Sequence, residues 1–290
     1  MSYSIFSYTE PKETLARLPS RPAESHKGTF GKVLCVCGSR GMCGAAYFAA
    51  KAAYRAGAGL VRVLTVEENR APLQTMLPEA IVTTYDERIP DASVIAEAEA
   101  WADVLVIGCG LGTSAASLSV LSILLRISKK PRVLDADALN LLSLHPELFP
   151  YTKDAILTPH TMEISRLTGI SPEEILADSE KTAYDFSRRH GVICVLKEHR
   201  TVVSDGSDRI YRNTTGNSGM ATGGSGDVLS GILGGLLAGC RHTALTPMEI
   251  ATLGVYLHGL CGDLAAERLS EYSLMASDLI DTLPEVLRRR

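Results

Sequence analysis

Four times in this chain a short apolar run ends in small or polar residues, and a helical pattern follows. The runs are K-V-L-C-V-C before G-S-R-G-M-C-G, A-D-V-L-V-I before G-C-G-L-G-T-S, P-R-V-L before D-A-D-A-L, and A-I-L before T-P-H-T-M-E. Segments this short, with no polar alternation, suit strands buried on both faces, as in a parallel sheet covered by helices. Parallel neighbours need crossovers, and the intervening helices supply them. The pattern predicts an α/β fold with its chemistry at the C-terminal strand ends, where such sheets bind ligands.

Further helices are expected over residues 92–101, 115–127, 172–190, 247–269 and 276–287. Residues 191–205 read as two strands hinged near residues 197–200, and D-G-S-D at 205–208 reads as a hairpin turn, so the sheet gains antiparallel strands late. Residues 1–25 scatter Ser, Pro and charge, which predicts a loosely ordered arm with a short helix over 12–18, able to pack on a neighbouring subunit. Residues 26–290 are long enough for one large α/β domain or two ordinary ones.

The expected partners are small molecules. A net charge of -4 gives no basic surface for nucleic acid. The longest apolar helix expected, residues 228–240, is shorter than the roughly 20 residues that cross a bilayer. No N-terminal segment reads as a signal peptide. Seven cysteines, an odd number mostly inside apolar runs, suit reduced, buried thiols in the cytoplasm.

The densest stretch is residues 213–229, N-T-T-G-N-S-G-M-A-T-G-G-S-G-D-V-L. Gly216, Gly219, Gly223, Gly224 and Gly226 let the backbone take positive φ and bring its amides close to a ligand. An apolar helix follows, so the amides of residues 224–227 are unpaired donors at a helix N-terminus, where an anion is favoured. Asp227 stands beside them. Amides that hold a transferring phosphoryl group, next to a carboxylate able to take a proton from a hydroxyl, make a phosphate site with a base. An N-cap Asp with glycines for packing is the plainer reading of the same residues.

Other strand ends carry candidates. Gly38, Gly41 and Gly44 recur at three-residue intervals and do not match the dinucleotide G-x-G-x-x-G register. Asp135 and Asp137 suit magnesium or a hydroxyl, or one of them caps the next helix. His160 and Glu163 end the fourth strand, where Glu163 also suits a helix N-terminus. His258, on an apolar helix side, reads as a satisfied core histidine.

No G-x-x-x-x-G-K-[ST], kinase loop set or G-x-S-x-G is present. Taken together, H-K-G-T-F-G-K-V-L, G-S-x-x-M-x-G-A, R-A-G-A-G-L-V-R-V, G-x-G-L-G, D-A-D-A-L, T-P-H-x-x-E and K-x-x-x-T resemble the ribokinase-like superfamily. Within it, N-S-G-M-A-T-G-G-S-G-D-V-L resembles the long motif of the NAD(P)H-hydrate dehydratases. The likeness runs from Lys27 over nearly the whole chain. It implies a ribokinase-like three-layer sandwich with a mostly parallel central sheet, helices on both faces and a late antiparallel hairpin, with residues 26–290 as a single catalytic domain.

The resemblance also implies roles. Asp227 is catalytic, with Gly224, Ser225 and Gly226 around the transferring phosphate. Ala45, Gly110, Gly112, His160 and Asp227 contact the hydrated nicotinamide nucleotide (NADHX or NADPHX). Lys197, Glu198, His199, Arg200, Thr201 and Gly226 bind ADP or ATP, with Mg2+ accompanying the nucleotide. Three departures stand out: Cys109 where the family has Pro, Thr161-Met162 where it has Pro-Gly, and Glu198 where it has Gly. A carboxylate at 198 weakens phosphate binding unless it points away.

The implied reaction restores NAD(P)H from its S-hydrate by phosphorylating the hydrate hydroxyl and losing phosphate. Bacterial members mostly use ADP. A homo-oligomer, with a tetramer favoured, and a separate NAD(P)H-hydrate epimerase as functional partner are further expectations, since no epimerase-like domain precedes Lys27. A vitamin or sugar kinase of the same superfamily would use the same Asp and amides, and a non-catalytic nucleotide-binding protein is the reading from another class.

Overall fold

The computed structural model describes residues 4–6 and 9–288. The chain opens with β1 (Ser4–Phe6) and α1 (Thr9–Ala16). Then come β2 (Lys32–Val36), α2 (Cys43–Arg55), β3 (Leu60–Val66), α3 (Arg70–Met76) and β4 (Ile81–Tyr85). The middle of the chain gives α4 (Ala92–Trp101), β5 (Val104–Ile107), α5 (Ala115–Ile127), β6 (Arg132–Leu134), α6 (Asp137–Leu144) and β7 (Ile156–Leu157). Next are α7 (Thr161–Thr168), α8 (Pro172–Ala177), α9 (Ser179–His190), β8 (Ile193–Leu196), β9 (Val202–Ser204) and β10 (Arg209–Arg212). Three helices finish it: α10 (Ser225–Gly239), α11 (Pro247–Leu269) and α12 (Ala276–Arg288).

All ten strands join one sheet in the order β1-β10-β9-β8-β7-β6-β5-β2-β3-β4. Only β9 runs against its neighbours. Alternate strand residues feed two separate cores. Val33, Cys35, Val104, Val106 and Val133 face α2, α10, α11 and α12, whereas Leu34, Val36, Leu105, Ile107 and Leu134 face α4, α5, α6 and α9. Both faces are covered, which is why these strands, past the Lys32 and Arg132 that open β2 and β6, read as apolar runs. The result is the expected three-layer sandwich.

The strand order reverses between β2 and β5, because β2 leads outward to β3 while β5 lies on its other side. Such a reversal opens a crevice beyond the strand C-termini. Here the Gly38 and 108–112 turns line it, tied by Gly38 N–H donating to Cys109 O at 2.8 Å.

Three local readings change. Residues 172–190 are two helices, because Asp178 leaves helical geometry (φ -150, ψ 74) and its side chain caps α9 at Lys181 N. The N-terminal segment is tied down: β1 pairs in parallel with β10, and α1, over residues 9–16 in place of 12–18, packs on α11 with Leu15 buried. Residues 70–85, for which the residue pattern predicts no element, hold α3 and the edge strand β4. Six of the seven free cysteines are buried, as expected, with Cys43 half-exposed. Among the described residues no helix is long and apolar enough to cross a membrane.

Candidate active site

The helix that presents Asp227 is held by backbone contact. A Cβ on Gly231 would lie 2.2 Å from Ala49 O, and one on Gly235 would lie 2.4 Å from Ala53 O. The glycines of α10 therefore let it touch the alanine-rich α2 directly, fixing its N-terminus beside the crevice. Gly224 enters the helix at φ 92, a conformation L side chains rarely adopt, and a Cβ there would sit 2.7 Å from the Phe48 ring. No side chain caps this helix start. Ser225 N donates to Thr222 O at 3.3 Å, a long bond, and the next amides, of Gly226 and Asp227, are left to a ligand or solvent.

Asp227 lies in that first turn, half-buried. Burial, reinforced by the nearby Asp135 charge, pushes its carboxyl from 3.8 up to about 6, against hydrogen bonding from Cys109 and the charge of Lys197. Ligand atoms of Cys109, Asp135 and Asp227 all lie within 4.8 Å of one another.

Asp135, 1% exposed at the end of β6, anchors the group. Its Oδ1 accepts from Lys197 Nζ at 2.6 Å, and its Oδ2 accepts from Ser230 Oγ at 2.7 Å. Burial alone would raise its pKa, but the Lys197 charge and these hydrogen bonds hold it below the ordinary range. Burial likewise opposes the ammonium of Lys197, which Asp135 and Glu163 together keep charged. Glu163, 5% exposed, lies 3.9 Å from Lys197 Nζ, and burial raises its own pKa.

His160 is the N-cap of α7. Its Nδ1 accepts from Met162 N and Glu163 N at 3.1 and 3.3 Å, and Glu163 Oε2 accepts from His160 N at 2.8 Å. Burial, then the neighbouring Lys197 charge, lowers its pKa. The imidazole is thus a neutral group held by Glu163 on both sides, its Nε2 lying 3.4 Å from Glu163 Oε1.

The 108–112 turn supports the other wall. Ser39 Oγ donates to Gly110 O at 2.9 Å, and Gly112 N donates to Asp137 Oδ2 at 2.7 Å. Gly110 faces Ala45 so closely that a Cβ would lie 2.8 Å from the alanine methyl. Asp137 therefore secures this turn as well as starting α6.

Beside the helix start is a cavity of about 750 Å3, lined by His160, Lys197, Glu198, His199, Thr201, Ser225 and Gly226 among others. Arg200 instead donates to Thr214 O at 2.7 Å, and Ala45, Gly110, Gly112, Gly224 and Asp227 lie outside this lining. The structure so divides the expected residues into a cavity set and a set around Asp135 and the glycine turns. Glu198 faces the same cavity as Gly226.

His258 is the satisfied histidine the pattern predicts: its Nε2 donates to Ser225 O at 3.0 Å, burial lowers its pKa to about 4, and it also borders the cavity. The residue pattern left other supports unmarked. Asp263 accepts from Gly216 N at 2.9 Å and Asn217 Nδ2 at 3.1 Å, hanging the 213–222 loop on α11. Ser230 carried one available signal: a hydroxyl one turn beyond Asp227 in an otherwise apolar helix.

The profile of the NAD(P)H-hydrate dehydratase family matches residues 33–285. The chain belongs to that family. It is 39% identical to the ADP-dependent (S)-NAD(P)H-hydrate dehydratase of Neisseria meningitidis, over 88% of this chain and 85% of that one. It is 41% identical to the bifunctional NAD(P)H-hydrate repair enzyme of Escherichia coli, over 93% of this chain and 50% of that protein, so it spans about half that relative's length. The solved ADP/ATP-dependent NAD(P)H-hydrate dehydratase of Bacillus subtilis, co-crystallised with ATP/Mg2+, superposes with a TM-score of 0.83 at 30% identity, covering 100% of this chain and 99% of that one. The family's glycine-rich motif is thus the N-terminus of α10.

Proposed function

We propose that this chain is an ADP-dependent (S)-NAD(P)H-hydrate dehydratase, using ADP or ATP to return the hydrate to NADH or NADPH. The observation that carries the reading is Asp227, a carboxylate raised to about 6 beside the uncapped amides of α10. A group titrating there is ionised at neutral pH yet basic enough to take a hydroxyl proton.

The hydrate carries its hydroxyl on the carbon next to the ring nitrogen. Hydroxide leaves poorly and phosphate leaves well. Asp227 removes the hydroxyl proton as the oxygen attacks the terminal phosphoryl group, whose developing charge the amides of residues 224–226 stabilise. ADP leaves as AMP, or ATP as ADP. The ring-nitrogen lone pair then expels phosphate, and loss of a proton from the neighbouring carbon restores the reduced ring.

In this reading Gly226, Lys197, Glu198, His199, Arg200 and Thr201 serve the nucleotide, whereas Ala45, Gly110, Gly112 and His160 wall the nicotinamide. The Lys197–Asp135 pair keeps a positive charge near the phosphates without leaving it unpaired. Mg2+ takes oxygen ligands in octahedral geometry, and Asp135 already accepts from Lys197 and Ser230 while its neighbour Cys109 is a thiol. These residues make no closed magnesium cage, and the ion is carried by the nucleotide phosphates.

The same reading includes a cytoplasmic homo-oligomer working beside a separate epimerase that converts the R-hydrate to the S-form. The test is incubation with the S-hydrate, ADP and Mg2+. Return of reduced-nicotinamide absorbance with one phosphate released per turnover is expected. Accumulation of a phosphorylated compound without that absorbance would identify a kinase instead.

A further inference from the structure

We propose that a second site, for small anions of the phosphate class, lies at the opposite end of the sheet from Asp227, where β6 and β7 begin. A cavity of about 390 Å3 opens there, and Lys129, Lys130, Arg132 and Lys153 line it together with the single carboxylate Asp154. Its size falls at the lower end of small-ligand sites, which run from roughly 300 to 1,000 Å3. It suits a phosphate or a short phosphate monoester.

Arg132 makes this more than a basic rim. It is 6% exposed, and its guanidinium donates only to carbonyls, Ser128 O at 2.8 Å and Lys153 O at 3.5 Å. Its Nε is buried without a hydrogen-bond partner. A buried guanidinium normally has a carboxylate or phosphate at contact distance, because desolvating an unpaired charge is costly. Asp154 and, more weakly, Glu99 act on the Arg132 charge, but neither forms an ion pair with it, and Glu99 is engaged by Lys130 at 3.3 Å. Among the described residues Lys129 and Lys153 form no ion pair, so their charges add to that of Arg132 across the cavity.

Two phosphate oxygens match a guanidinium fork, and the exposed ammonium groups can close around the remaining charge. The site is separate from the glycine-rich loop. Arg132 opens β6 and Asp135 follows its last residue, so three residues of extended chain, about 10 Å, separate the two ends. The proposal does not rest on the dehydratase reading.

The test is calorimetric titration of the full chain with orthophosphate and, in a second arm, glycerol phosphate, comparing the wild type with Lys129→Glu and Lys153→Glu. Both positions are exposed, and thermal melts verify that each variant folds. If either variant fails to fold, Lys129→Gln and Lys153→Gln replace the pair. One saturable site in the wild type, weakened at least tenfold in both variants, is the expected result. Tighter binding in the glycerol phosphate arm assigns the site to a monoester, and equal or tighter binding of orthophosphate assigns it to the free ion. Absence of saturable binding, or a loss below tenfold in either variant, overturns the proposal, since binding would then belong to the Gly224–Gly226 amides or to general surface charge.

Discussion

Replacing Asp227 with Asn should inactivate the enzyme and stabilise it at the same time. The folded carboxyl titrates at about 6 against 3.8 for the free group. Roughly two pKa units, at 1.36 kcal/mol each, set an upper value of about 3 kcal/mol. Asp227 is half-buried, and solvent screening brings the expected gain to about 1–2 kcal/mol. The sign follows from the raised pKa. The fold disfavours the ionised form, so the cost is absent below the unfolded pKa near 4 and fully present above about 6. Asn removes that cost while keeping the shape. Denaturant unfolding of the two proteins should therefore differ at pH 7 and converge near pH 4. Activity, followed by recovery of reduced-nicotinamide absorbance, should fall roughly 10²- to 10⁴-fold. Near-normal turnover, or inactivation accompanied by lower stability at every pH, would refute the reasoning, because the carboxylate would then be structural.

Other outcomes follow from the same geometry. Wild-type kcat/KM should rise with pH through an apparent pKa near 6, dropping about tenfold for each unit below it, and a flat profile from pH 5 to 8 would remove Asp227 as the titrating base. Lys197→Met leaves Asp135 buried without its ion partner and should cost about 3–5 kcal/mol in denaturant unfolding, with the double variant Lys197→Met/Asp135→Asn recovering most of it. Gly231→Ala puts a methyl into Ala49 O; displacement of α10 should destabilise by about 1–3 kcal/mol and reduce kcat even though the residue touches no reactant.

The sheet was legible because its strands are buried on both faces and read as unbroken apolar runs. Edge strands lack that signature: β4 is half-exposed and β1 is three residues long, so neither stood out. The break between α8 and α9 rests on Asp178 acting as a cap, a polar residue that an amphipathic pattern absorbs without interruption. Asp227 and its glycines were legible as a helix start. The glycines further along α10 had a different cause, backbone contact with α2, which no local pattern distinguishes from ligand approach. Least legible was the pairing of Lys197 with Asp135, 62 residues apart, because folding alone brings them together. His160 was singled out as a strand-end histidine, and its geometry adds that the ring caps α7 as it faces the cavity.

The central claim is that the hydrate oxygen leaves as part of phosphate. The direct measurement is turnover of S-hydrate carrying a heavy-oxygen label in its ring hydroxyl, with unlabelled ADP, Mg2+ and water, followed by mass spectrometry of the released phosphate. Phosphorylation on that oxygen, then carbon–oxygen cleavage, places one labelled atom in every phosphate. Unlabelled phosphate, with the label recovered in water, would contradict the account.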